Sequence, residues 1–124
     1  MDKNVKILVC DDDEVLISMI RFKLTRENIG EVDKAQDGRE AMSLIRQNAY
    51  DLVITDIYMP FHSGLEIITL LRTELKRQTP IIVLSAEGLE ETVLQAFELG
   101  ANDFLSKPFS PNELMVRVKR LLNK

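Results

Sequence analysis

This sequence is short of several residue types, and each shortage removes a class of protein. It holds one cysteine, Cys10, so an internal disulfide is excluded and a reducing compartment is implied. It holds one histidine, His62, in the loop after Met59-Pro60, and no motif joins it to a metal or a phosphate relay, so it reads as a surface residue. Runs of basic charge are missing. Net charge is −4 with both signs interspersed, so neither a nucleic-acid face nor a polybasic membrane patch is expected. No apolar stretch approaches the ~18 residues of a membrane-spanning helix, and the opening MDKNVK leads with charge rather than a secretory signal. P-loop and GxGxxG fingerprints, low-complexity tracts and internal linkers are also lacking. What remains is a cytoplasmic chain of 124 residues, expected to form one domain over 1–124 and to bury roughly two-thirds of its unfolded surface. The sequence ends about two residues past its last predicted helix, so no second domain is expected in it.

What the sequence does hold is a rhythm of apolar runs. Val5 to Cys10, Val32 to Ala35, Leu52 to Ile54, Ile81 to Leu84 and Phe104-Leu105 read as strands. The first and fourth lack alternation, as strands buried on both faces of a parallel sheet do. Helical spacing lies between them: Leu16, Ile20 and Leu24; Ala41, Leu44 and Ile45; Leu65, Ile68, Leu71 and Leu75; then Val93, Ala96 and Phe97 with Gly100 as a stop. In the fifth helix, SPNE sets Ser110 as N-cap, Pro111 at the first helical position and Glu113 to close a capping box. Leu114, Val118, Leu121 and Leu122 give its buried face. Asp13 and Asp37 are candidate caps for the first two helices. Strand–helix alternation five times over implies an α/β fold, a parallel sheet with helices on both faces.

In such a sheet ligands bind beyond the carboxyl ends of the strands. Asp11 and Asp12 follow the first strand, Asp56 the third, Ser85 the fourth and Lys107 the fifth. Singly these residues read as caps or turn residues, but their convergence on one sheet edge needs a further reason. Three crowded carboxylates cannot all stay ionised without a counter-charge. A hard divalent cation supplies one, and Mg²⁺ needs only two protein carboxylates and a carbonyl beside its waters. The cation, Lys107 and a hydroxyl would together grip the oxygens of a phosphoryl group. One carboxylate facing that group could then attack it to form an aspartyl phosphate.

The motifs ILVCDDDE, DLVITDIYMPFHSGLE, PIIVLSAEG and GANDFLSKPF, in this order, carry a resemblance across essentially the whole chain. It resembles the receiver domain of response regulators in two-component signal transduction, chemotaxis regulators included. The resemblance implies a flavodoxin-like (βα)5 doubly wound parallel sheet ordered 2-1-3-4-5. It implies that Asp56 is the phosphoacceptor and that Mg²⁺ is held by Asp11, Asp12, Asp56 and the backbone carbonyl of Tyr58. Ser85 matches the hydroxyl switch residue, Lys107 the phosphoryl-contacting lysine and Phe104 the aromatic that swings inward on activation. Pro60 and Gly64 shape the loop into the third helix. Two positions depart from the pattern. Cys10 stands where an aliphatic residue is commoner and reads as a small core hydrophobe, and Phe104 lacks the hydroxyl of the frequent tyrosine. Asp13 and Glu14 are read as capping the first helix, with Asp13 near enough to adjust the metal site.

The resemblance further implies phosphoryl transfer to Asp56 from a histidine kinase or phosphotransfer protein, with self-phosphorylation from acyl phosphates and self-dephosphorylation. The fourth helix, fifth strand and fifth helix would pass the change to a downstream protein or to an output domain outside this chain. Tyr58 and Glu87 flank the path of the hydrolytic water and are candidates for tuning the phosphoryl lifetime. Arg117, Arg120 and Asp103, placed just before the fifth strand, resemble charges that pair across a dimer in the winged-helix subfamily. The fourth helix lacks that subfamily's basic residue, so a phosphorylation-dependent homodimer and a plain solvated face both stand open. Two rival functions are a degenerate receiver acting only by binding and a small Mg²⁺-dependent phosphohydrolase. The second would want an acid where Tyr58 stands.

Overall fold

The computed structural model describes residues 5–123. Strands β1 (Lys6–Cys10), β2 (Glu31–Ala35), β3 (Leu52–Asp56), β4 (Ile81–Ala86) and β5 (Asp103–Lys107) alternate with five helices. These are α1 (Glu14–Arg26), α2 (Gly38–Gln47), α3 (Gly64–Thr69), α4 (Glu90–Leu99) and α5 (Pro111–Leu122). The sheet is wholly parallel, in the order β2-β1-β3-β4-β5. The chain leaves β1 toward one edge and returns at β3 to build the other, so a crevice opens above the ends of β1 and β3.

Helices cover both faces. One core joins Ile7, Val9, Leu52, Ile54, Ile82 and Leu84 to α1 and α5. The other joins Leu8, Cys10, Val53, Ile81 and Val83 to α2, α3 and α4. Cover on both sides explains the unbroken apolar runs of the central strands, since neither face of β1, β3 or β4 has a wet side to mark with polar residues. Each large aliphatic side chain so buried contributes about 1.5–3 kcal/mol relative to exposure. Helix starts follow their caps. Asp13 accepts from the amides of Val15 and Leu16, Asp37 from Glu40 and Ser63 from Glu66, and Ser110 and Glu113 form the expected reciprocal box.

The structure differs from the sequence reading in several places. Hydrogen bonding carries β3, β4 and β5 beyond their apolar runs, so Asp56, Ser85 and Lys107 are strand residues rather than loop residues, and Asp103 is the first residue of β5. Ladder pairing is backbone chemistry and does not stop where side chains turn polar. Ile17 rather than Leu16 is buried in α1. The third stripe is not one regular helix, because α3 continues as a π-helical stretch, Leu70–Glu74, that leaves Leu75 only partly covered. Phe97 and Phe104 are not core residues. Each is 39% exposed, and they pack edge to face 6.0 Å apart on the outer side of α4 and β5. As an edge strand, β5 buries only Leu105.

Candidate functional site

Parallel register brings the strand ends level. Cys10 of β1 pairs with Thr55 of β3, so Asp11 and Asp56 each lie one residue further along, side by side at the crevice. The register of β4 with β3 and of β5 with β4 aligns Asp56 with Leu84, Ser85 with Ser106 and Ala86 with Lys107. All five chemistry-bearing residues read from the sequence therefore reach one edge. Asp11 is fully buried, Asp56 half-buried and Asp12 exposed, and one carboxylate oxygen from each lies within 4.8 Å of the others.

Lys107 is the counter-charge the acids require. Its Nζ donates to Asp11 Oδ2 at 2.8 Å and to Asp56 Oδ2 at 3.1 Å. The other oxygens are held from the backbone: Asp11 Oδ1 accepts from the Asp13 amide at 3.0 Å, and Asp56 Oδ1 from the Ile57 amide at 2.8 Å. Burial first, and then the Asp11 charge, raise the Asp56 carboxyl above its ordinary range despite the lysine. Burial alone would pull Lys107 down, but its hydrogen bond to Asp11 and the charges of Asp56 and Asp11 outweigh it, and its net shift is upward. With three carboxylates and one ammonium, the site keeps an excess of negative charge.

That excess fits a hard cation. Such a cation takes oxygen ligands, and Asp11, Asp12 and Asp56 would each offer it one carboxylate oxygen from a triad gathered within 4.8 Å. Ser85 is buried beside it, with its hydroxyl donating to the Ala86 carbonyl at 2.9 Å. A cavity of about 560 Å³ opens next to Ser85, lined by Gly88, Leu89, Val93, Phe97 and Phe104 among others. Phe104 lines it while remaining partly exposed to solvent. The side chains of Tyr58 and Glu87 are exposed, and Tyr58 Oη lies 3.5 Å from Thr92 Oγ1 of α4.

Three further residues clarify the sequence reading. Cys10 is fully buried and burial pushes its thiol far up, so it is the inert core residue expected. His62 does have a partner, as its Nδ1 lies 2.6 Å from Glu66 Oε2 one helical turn on. Asp103 pairs within the chain, with Arg120 at 2.6 Å and Arg117 at 3.6 Å. The contact of Thr92 with Tyr58 was missed, because no spacing in the sequence relates the start of α4 to the loop after β3.

Comparison with known proteins agrees with the geometry. Residues 7–119 match the family model of the response regulator receiver domain. The chain is 42% identical over 119 residues to the transcriptional regulatory protein ResD of Bacillus subtilis, covering 96% of this chain and 48% of ResD. Against SrrA of Staphylococcus aureus the identity is 39%, with the same coverage. The chain thus spans about half the length of the relatives it matches. Among solved structures, the receiver domain of Francisella response regulator 1452 superposes with a TM-score of 0.87 at 38% identity, covering 97% of this chain and 98% of that one. The chemotaxis response regulator CheY4 of Vibrio cholerae gives 0.87 at 32% identity, covering 95% and 98%. The chain belongs to the response regulator receiver domains of two-component systems, which are signalling domains rather than classical enzymes.

Proposed function

We propose that residues 1–124 form one receiver domain that works as a cytoplasmic phosphorylation switch, with Asp56 as the acceptor. The observation that carries this reading is the meeting of Asp11, Asp12, Asp56 and Lys107 at the crevice, where three acids face one cation. Aspartate phosphorylation and Mg²⁺ binding are typical of the family. Mg²⁺ on Asp11, Asp12, Asp56 and the Tyr58 carbonyl would supply positive charge against the phosphoryl oxygens. An Asp56 oxygen forms the new O–P bond while the P–N bond to the histidine of a kinase or phosphotransfer protein breaks, and the departing imidazole takes up a proton. Lys107, already on Asp56, shifts to the incoming oxygens and offsets the added charge of about −1.5 to −2.

Ser85 then has a reason to leave the Ala86 carbonyl for the phosphoryl group, and the cavity beside it gives Phe104 a place to go. The α4-β5-α5 surface would thereby change between two populated forms. ResD and SrrA are transcriptional regulators of about twice this length, which supports an output domain as one recipient of that change. A separate partner protein or a second copy of the chain would read the same face. Charge pairing across such a dimer would have to draw on Asp103, which is already engaged within its own chain by Arg117 and Arg120.

Intact-mass measurement after incubation with a small acyl phosphate tests the acceptor. A single Mg²⁺-dependent phosphoryl adduct, absent in Asp56→Asn, is expected; an adduct surviving that substitution would overturn the assignment. Tyr58, together with Glu87, is assigned to tuning the lifetime of that adduct. Tyr58→Asn should shorten the lifetime by opening the path of the attacking water, and an unchanged lifetime would remove Tyr58 from this role.

A further inference from the structure

The loop between β3 and α3 carries the Tyr58 carbonyl, and its shape is held both from within and from a neighbouring element. At its base, the Gly64 amide donates to the Ile57 carbonyl at 2.7 Å. Its middle is gripped from another element, the start of α2. The Gly38 amide donates to the Pro60 carbonyl at 3.0 Å, and the His62 amide turns back onto the same oxygen at 2.9 Å. Gly38 meets the loop so closely that a Cβ there would collide with the His62 carbonyl oxygen and lie 2.5 Å from His62 Cβ. The next residue of α2, Arg39, sets its guanidinium 4.0 Å from the centre of the Phe61 ring. Phe61 is held at φ +72°, a region that a bulky side chain seldom enters unless its surroundings fix it.

Three successive loop residues, Pro60, Phe61 and His62, are thus seated on two residues of α2. Ala41 and Ile45 bury that helix against the sheet, so its start is a firm base. We infer that Gly38 and Arg39 are positioning residues for the metal: they act through the loop, two residues beyond Tyr58, to set the carbonyl that completes the cation's ligands. This inference rests on the function proposed above. It explains why glycine stands at the first position of α2, where any Cβ would strike the loop backbone. The colliding atom at Gly38 is a backbone carbonyl, so an added methyl group must displace the loop backbone rather than rotate a side chain.

The test is a Mg²⁺ titration of the parent chain, Gly38→Ala and Arg39→Ala, followed by the amide NMR shifts of Ile57 and Tyr58. Acyl-phosphate labelling of Asp56 is measured at each Mg²⁺ concentration. Gly38→Ala is expected to raise the Mg²⁺ dissociation constant roughly tenfold, as loss of outer support does at other metal sites. Arg39→Ala should raise it about threefold, the worth of one exposed cation–π contact. In both variants the labelling rate at saturating Mg²⁺ should return to near the parent value, a split that general destabilisation would not give. Unchanged dissociation constants in folded variants would overturn the inference while leaving the acceptor assignment intact. Should Gly38→Ala fail to fold, Arg39→Ala decides alone, because Arg39 is exposed. A parent chain that neither binds Mg²⁺ nor labels on Asp56 would remove both readings.

Discussion

The two ends of the sheet put polar side chains to opposite uses. At the amino end of the strands, Arg72 donates to the Gly100 carbonyl at 3.1 and 2.9 Å, to the Arg77 carbonyl at 2.9 Å and to Asn102 Oδ1 at 3.0 Å. Arg77 likewise donates to the carbonyls of Ile45 and Asn48, closing the end of α2. Asn102 also accepts from the Ile81 amide, where β4 begins. Each guanidinium there is tied to neutral oxygens of the backbone and of Asn102, so it is spent on joining chain segments. At the carboxyl end three carboxylates share Lys107, and the charge does not balance. Groups tied to the backbone hold a fold together, whereas carboxylates in excess offer a cation its ligands.

Lys107→Met should break this contrast most severely. It leaves Asp11 and Asp56 facing each other without a cation, and removing one member of a buried pair costs about 3 kcal/mol or more. Urea unfolding in metal-free buffer should show that loss, and Mg²⁺ should restore most of it. Arg72→Met should cost about 2 kcal/mol through the carbonyls it strands, and Mg²⁺ should recover none of it. A Mg²⁺-dependent rescue of Arg72→Met would erase the distinction between the two ends.

Asp56→Asn should shift stability the other way. Burial and the Asp11 charge raise the folded-state pKa of Asp56 above its unfolded value. A raised acid favours the fold at low pH, and that contribution is lost as pH rises through the folded value. The ionised carboxylate is therefore unfavourable at neutral pH. Thermal melts in metal-free buffer should show Asp56→Asn above the parent at pH 7, with the gap closing below the ordinary carboxylate range. The smallest effect belongs to Arg120→Ala. Its pair with Asp103 is 60% exposed on the arginine side, so the loss should be about 0.5 kcal/mol and should fade in high salt.

Much of this architecture could be read from the amino acids in order. Unbroken apolar runs marked β1 and β4 because both of their faces are covered, and SPNE marked the start of α5 because capping is local chemistry. The convergence of Asp11, Asp12, Asp56, Ser85 and Lys107 on one edge followed from the rule that parallel strands end on the same side. Features that depend on distant partners were not legible. The apolar character of Phe97 and Phe104 suggested core, but position on an edge strand and on the outer side of a helix left them exposed. The π-helical stretch after α3 has no periodic signature of its own over five residues. The seating of Pro60, Phe61 and His62 on Gly38 and Arg39 joins segments that the sequence separates by about 20 residues.

Whether the carboxyl end of the sheet uses its excess negative charge to hold a cation is decided by Mg²⁺ calorimetry on the parent chain and on Asp12→Ala. Asp12 is exposed, so its loss should leave the fold in place. One Mg²⁺ per chain is expected for the parent, with affinity weakened at least tenfold in Asp12→Ala. Absence of binding at millimolar Mg²⁺, or equal affinity in the two proteins, would mean that the acids are not a cation site.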